Sequence, residues 1–321
     1  MENYRQQAPF TIQIEPTEGC NLGCSFCGLR GMREKGTKPW YFMTLETAEI
    51  IAKKIREANW KSKIVFAMHG EPTLNPNLLK IIKIFRRELP NTLFYIISNG
   101  YGIVRNEDYS IKEYISLLFD SGINHILLDN YSDNGDWNKI VSAVQDEIPI
   151  LYLGEDKTPM FPTDNKRNII VLPSIVTTKI SFVRNLKNHC GAAFPLDDSF
   201  NKKKCAVPFR ELSFRYDGNV ALCCDDFRGE FSIGNIKDYD RIDDLWNNER
   251  FQAARIMLYN GERSFRPCKG CSNVSMRVGL LPDQKGKDKL ESISDEVRLF
   301  CESVGQEGTL SKIIIKRPWE E

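Results

Sequence analysis

Through the first half of the chain, short apolar runs alternate with amphipathic segments. The runs Phe10–Ile14, Ile64–Met68, Leu93–Ile97, His125–Asp129, Ile148–Leu153 and Asn168–Leu172 are rich in branched and aromatic side chains, which read as strands. After Thr44, a residue able to cap a helix, Leu45, Ala48, Ile51, Ile55 and Ala58 recur at helical spacing, so one face of that helix is apolar. Pro76 opens a second helix with Leu78, Leu79, Ile82 and Phe85, and Ile111 to Phe119 a third. Strand and helix in turn predict β/α units around a parallel sheet. Six strands predict an α/β fold of the partial (β/α)6 TIM-like barrel kind, with the helices outside.

The second half changes pattern. Pro208 to Cys224 reads as a hairpin turning at Asp217-Gly218, a dipeptide suited to tight turns. Ile242 to Leu258 reads as a helix, followed by Cys268-Lys269-Gly270-Cys271 and the charged run 283–289. The pattern ends with a predicted helix over Ile293–Val304, holding Cys301, and a possible edge strand over Ile313–Ile315. The expected organisation is a barrel over 1–180, a bridge over 181–204, a small C-terminal α+β domain over 205–275 and a tail over 276–321 packing on the barrel.

The 321 residues carry 44 basic and 43 acidic side chains, a net charge of +1. That balance gives no electrostatic case for nucleic acid or a membrane surface. Met1 to Gln7 has no basic-then-apolar leader, and no stretch approaches the roughly 18 apolar residues of a membrane span. A cytoplasmic location is expected. In that reducing compartment the ten cysteines point to metal or redox work rather than to disulfides.

Their spacing sharpens this. Cys20, Cys24 and Cys27 form a C-x3-C-x2-C run just after the first predicted strand. A structural zinc site usually closes with four ligands; three thiolates on one loop can instead hold three irons of a cubane and leave the fourth open. In β/α barrels the loops at the C-terminal strand ends build the active site. His69-Gly70-Glu71-Pro72 follows the second strand, Ser98-Asn99-Gly100 the third, and Asp129 ends the fourth. Each alone reads as an ordinary turn or cap.

Together these residues resemble the radical S-adenosylmethionine (radical SAM) superfamily. The resemblance implies that Cys20, Cys24 and Cys27 bind a [4Fe-4S] cluster whose open iron is chelated by S-adenosylmethionine. It implies that Gly70, Glu71 and Pro72 receive the cofactor's ammonium group, with His69 standing where the family has a first glycine. Ser98 and Asn99 lie near the cofactor in such enzymes, Asp129 is a ribose or substrate contact, and Phe26 packs by the adenine. The implied chemistry is reductive cleavage to a 5′-deoxyadenosyl radical, which abstracts hydrogen from an unactivated C–H.

Cys205, Cys223, Cys268 and Cys271 form a second set: one cysteine at each end of the hairpin and two on a C-x2-C turn. Zinc could use four such ligands. Their order, 18 positions and then 45 before the closing pair, resembles the short twitch form of the SPASM domain, as in the dehydrogenases of aminocyclitol biosynthesis. That implies an auxiliary [4Fe-4S] cluster for electron transfer or support. Cys223 matches the family spacing, with the adjacent Cys224 as the other possibility. Cys190 lies in the bridge, where a thiol could return hydrogen to a substrate radical; a buried structural thiol is the alternative. The substrate is expected to be a peptide, as in most such two-part enzymes, with a carbohydrate or aminocyclitol as the second reading. Nucleotide modification and a non-enzymatic electron carrier stand behind both. A flavodoxin or ferredoxin is the implied reductant.

Overall fold

The computed structural model describes residues 8–31, 40–131, 135–153, 159–173 and 186–275. The predicted charged run, the Cys301 helix and the strand over Ile313–Ile315 lie outside them. All six predicted barrel strands form: β1 (Thr11–Ile14), β2 (Lys63–Phe66), β3 (Phe94–Ser98), β4 (His125–Leu128), β5 (Ile150–Tyr152) and β6 (Asn168–Val171). They pair in parallel in the order β1-β2-β3-β4-β6-β5. The last two are thus exchanged relative to chain order. Burial explains the exchange. Every residue of β6 is buried, as befits a strand covered on both faces, whereas Tyr152 of β5 is 40% exposed and belongs at an edge.

Alternation along the strands divides the side chains between two layers. Ile12, Ile14, Ile64, Phe66, Ile96, Ile126, Leu128 and Ile169 face an outer core. It is closed by α1 (Leu45–Glu57), α2 (Leu78–Glu88), α3 (Ile111–Ser121) and α4 (Asp136–Val144). Val65, Tyr95, Leu127 and Ile170 form the smaller inner cluster. On α1, Thr44 accepts from the Thr47 amide, and Ala48, Ile51, Ala52 and Ile55 are the buried stripe. Each isoleucine so buried is worth about 1.5–3 kcal/mol.

The second half does not build a separate sheet. β7 (Glu211–Phe214) lies parallel against β1, pairing Thr11 with Glu211 and Ile14 with Phe214. It then turns at Asp217-Gly218, with Gly218 at φ 91°, into β8 (Asn219–Ala221), and β9 (Ser232–Asn235) completes a nine-stranded sheet.

The helix expected over Ile242–Leu258 is two helices, Ile242–Trp246 and α5 (Glu249–Tyr259). Asn248 is the reason. Its side-chain oxygen accepts from the Phe251 amide while its amide donates to the Ile233 carbonyl at 2.9 Å, capping a new helix and tying it to β9.

Candidate active site

Three strand-end loops close on one another. A Cβ on Gly70 would stand 2.1 Å from the Thr17 carbonyl oxygen and 2.6 Å from that of Gly19. Only glycine lets the loop after β2 lie on the cysteine loop, and the Glu71 amide then donates to the Gly19 carbonyl at 3.0 Å. The Glu71 carboxylate accepts from the Thr73 amide and hydroxyl, the Ser98 hydroxyl at 2.7 Å and the Asn99 amide at 2.8 Å. It clamps the loops after β2 and β3 together. Burial pushes its pKa up, against those hydrogen bonds. Pro72 opens a buried turn beside it. The Asn99 side-chain amide reaches Cys20 Sγ at 3.5 Å and Asn21 Oδ1 at 3.2 Å. The expected residues after β1, β2 and β3 are therefore one constellation.

Past β4, Asp129 receives a hydrogen bond from Tyr131, whose ring lies 5.5 Å from that of Phe26. Burial raises the Asp129 carboxyl to about 7 despite that bond, with the Glu71 charge adding to the rise.

His69 sits where the resemblance puts a glycine. Nε2 donates to the Cys224 carbonyl at 2.9 Å, and Nδ1 stands 3.0 Å from Glu15 Oε1, outside hydrogen-bond angles. Its ring lies 4.2 Å from Phe227. Phe227 in turn packs with Leu29, Ala192, Cys20 and Cys27, so a single aromatic side chain joins the first cysteine loop to the chain just past Cys223 of the second set. Nothing in the sequence marks Phe227; the contact arises only when loops distant in sequence meet.

The second set also assembles. Cys205, Cys223, Cys268 and Cys271 are buried. The thiol of Cys268 feels the charges of Cys223, Cys205 and Cys271, and that of Cys205 those of Cys223 and Cys271. Cys224 instead lies against Glu211, whose carboxylate also accepts from the Cys224 amide at 3.4 Å. Arg263, which sequence reasoning missed, is buried and donates to the carbonyls of Lys203, Lys204, Cys271 and Asn273, binding the two halves of the set.

Cys190 joins this set. Its Sγ is 3.6 Å from Cys271 Sγ, and it also contacts Cys223. Those two contacts, and then burial, hold the Cys190 thiol well above its ordinary pKa, while Cys271 is drawn down to about 7, chiefly by the same contact. The preceding His189 and the following Gly191 share its left-handed backbone, at φ 46° and 85°, with Cys190 at 54°. Two such non-glycine residues cost about 1–3 kcal/mol each. Asn188 offsets this by donating to the Gly270 carbonyl at 2.7 Å and exchanging hydrogen bonds with Ser272.

His189 Nδ1 donates to Asp225 at 2.9 Å, and the His189 side chain is 23% exposed. Burial opposes ionisation of Asp225. His189, Lys187 and Asn273 outweigh it and hold the carboxyl at about 2.

Both thiol sets suit iron–sulfur clusters. Burial raises Cys20 to about 12 and Cys205 to about 11. Thiolates so buried call for cationic partners, and a metal group supplies one directly at the sulfur. Amide N–H groups of Leu22 and Asn273 already point at Cys20 and Cys271 sulfurs, each at 3.4 Å, as around cluster ligands. Among the described residues no three His, Cys, Asp or Glu side chains close on a single ion; a cubane spreads its ligand sulfurs more widely. A cavity of about 330 Å³ lined by Arg86, Asn124 and Arg167 lies at the opposite, N-terminal ends of the strands. Arg86 there is engaged with the Leu89, Pro90, Thr92 and Gly122 carbonyls, and the cavity has no part in the site.

Residues 14–140 match the model of the radical SAM superfamily, and residues 205–272 that of an iron-sulfur cluster-binding domain, SPASM. The chain is similar to the S-adenosyl-L-methionine-dependent 2-deoxy-scyllo-inosamine dehydrogenase of Niallia circulans, with 24% identity over 83% of this chain and 94% of the relative. Over 32% of the chain it is 26% identical to GTP 3′,8-cyclase of Pasteurella multocida, covering 29% of that protein. Its fold is similar to the crystal structure of BtrN in complex with AdoMet and 2-DOIA, with TM-score 0.63, 21% identity, and coverage of 84% of this chain and 95% of that one.

Proposed function

The chain belongs to the radical SAM superfamily, as an oxidoreductase carrying a SPASM-type domain, two [4Fe-4S] clusters and S-adenosylmethionine, and from this we propose that it oxidises a secondary alcohol of an aminocyclitol or similar small polyol. The observation that carries the reading is the similarity to an aminocyclitol dehydrogenase along 83% of this chain and 94% of that enzyme. The sequence alone placed peptides first. That order is reversed here, because a relative similar across both the barrel and the second thiol set is a 2-deoxy-scyllo-inosamine dehydrogenase, an enzyme named for a small polar substrate.

Cys20, Cys24 and Cys27 would hold the first cluster, and Cys205, Cys223, Cys268 and Cys271 the second; Cys224 is engaged by Glu211 instead. When bound, the first cluster supplies the electron that cleaves S-adenosylmethionine to the hydrogen-abstracting radical. Gly70 keeps the backbone close enough to the cysteine loop to receive the cofactor. Glu71, with Ser98 and Asn99, holds that seat rigid, while Phe26 and Asp129 border the adenosine. Pro72 stiffens the turn. Oxidising an alcohol to a ketone also releases a proton. His189, oriented through Nδ1 by Asp225 beside Phe227, leaves Nε2 to accept it. The described residues include no helix long and apolar enough to cross a membrane. A flavodoxin or ferredoxin fits as reductant.

Anaerobic turnover of the reconstituted protein with 2-deoxy-scyllo-inosamine tests the reading. Expected are 5′-deoxyadenosine and a ketone in equal amounts. Deoxyadenosine formation with peptides and none with cyclitols or sugars would overturn it.

A further inference from the structure

Four thiols suffice for a [4Fe-4S] cluster, yet five gather at the second site. We propose that the fifth, Cys190, is a positioning donor that directs its S–H at the ligand sulfur of Cys271, and secondarily at Cys223, and thereby raises the reduction potential of the auxiliary cluster. This rests on assigning the cluster to Cys205, Cys223, Cys268 and Cys271.

Geometry carries the proposal. Cys190 Sγ lies 3.6 Å from Cys271 Sγ, within reach of a hydrogen bond to sulfur, and is 5% exposed, so water does not compete for the contact. The loop bearing it is braced rather than loose. Asn188 bonds to Gly270 and Ser272 on either side of Cys271, and the Gly191 amide returns to the Asn188 carbonyl at 2.9 Å. The brace therefore locks the Cys190 backbone to the same turn that presents Cys271.

A thiol is a weak donor to a neutral acceptor, but toward a metal-bound thiolate the bond is charge-assisted. It withdraws electron density from the ligand sulfur and stabilises the more negative, reduced cluster. Hydrogen bonds to cluster sulfurs are among the levers by which a protein sets cluster potential. A higher potential suits a cluster that must take an electron from a substrate radical as that radical is oxidised. The Asn273 amide, on the same sulfur at 3.4 Å, acts in the same direction.

The test is a potentiometric titration, followed by electron paramagnetic resonance, of the reconstituted wild type, Cys190→Ala and Cys190→Ser without substrate. Iron content should match in all three. In the alanine variant the ratio of reduced to oxidised auxiliary cluster at a fixed potential should fall about tenfold, a midpoint roughly 59 mV more negative for one electron, and serine, which keeps a donor, should restore part of it. Equal midpoints in the three proteins overturn the proposal. Loss of the auxiliary signal and half the iron in Cys190→Ala also overturns it, since Cys190 would then be a ligand. An absence of auxiliary signal in the wild type sinks the cluster assignment itself, whereas failure to oxidise cyclitols leaves this measurement untouched.

Discussion

At the scale of single residues the site is built by close approach and by burial. Gly70→Ala places a methyl group against two backbone carbonyls that have nowhere to move. Overpacking costs about 1–3 kcal/mol, and the first cysteine loop should be displaced; iron analysis is expected to show loss of the first cluster with the second retained. His189→Asn keeps a donor toward Asp225 but removes the proton acceptor. Ketone formation should fall about 10²-fold while deoxyadenosine still forms, and an unchanged ketone yield would rule out the assigned role. Asp129 provides a pH test. Its folded-state pKa, raised to about 7 from 3.8, means that its contribution to stability is full below about pH 4 and lost as pH rises through 7. Thermal melts should fall between about pH 4 and 7, and less steeply in Asp129→Asn. The motif residues of this site were legible because radical chemistry demands particular groups at particular strand ends. His69, Phe227, Arg263 and Asp225 were not, since their roles come from partners that the fold brings together, most of them dozens of residues away in sequence.

At the scale of elements, periodicity found every barrel strand and the first three helices because each buries one face against a common core. It failed where one residue outweighed the pattern. The apolar spacing of Leu245, Trp246, Phe251 and Ala254 reads through Asn248, but that side chain satisfies an amide of α5 and a carbonyl of β9 at once. Asn248→Ala should cost about 1 kcal/mol, readable as a lower denaturant midpoint. The exchanged order of β5 and β6 was hidden for a different reason. A strand's own sequence reports how many of its faces are covered, not which strand lies beside it.

At the scale of the whole molecule, the hairpin expected to belong to a separate domain is hydrogen-bonded to β1 and lengthens the barrel sheet. Phe214, Leu212 and Val220 share one core with Ile12 and Ile14. Ending the chain at residue 204 should therefore expose the β1 edge and part of that core, and yield an aggregating protein rather than a folded barrel. Sedimentation of the truncated chain checks this, and a monodisperse product would contradict it. The continuity also brings Phe227, four residues past Cys223, against Cys20 and Cys27 of the first set.

The sequence by itself determined the α/β class, the two thiol sets and the strand ends that carry the candidate site, because periodicity and cysteine spacing are local properties of the chain. Only the tertiary structure decided that Cys190 turns toward the second thiol set, that His69 binds the backbone beside Cys223, and that the second half continues the sheet of the first. Each of these depends on which distant backbone groups come within about 3–4 Å, the range over which hydrogen bonds and sulfur contacts act, and no spacing along one segment encodes that distance.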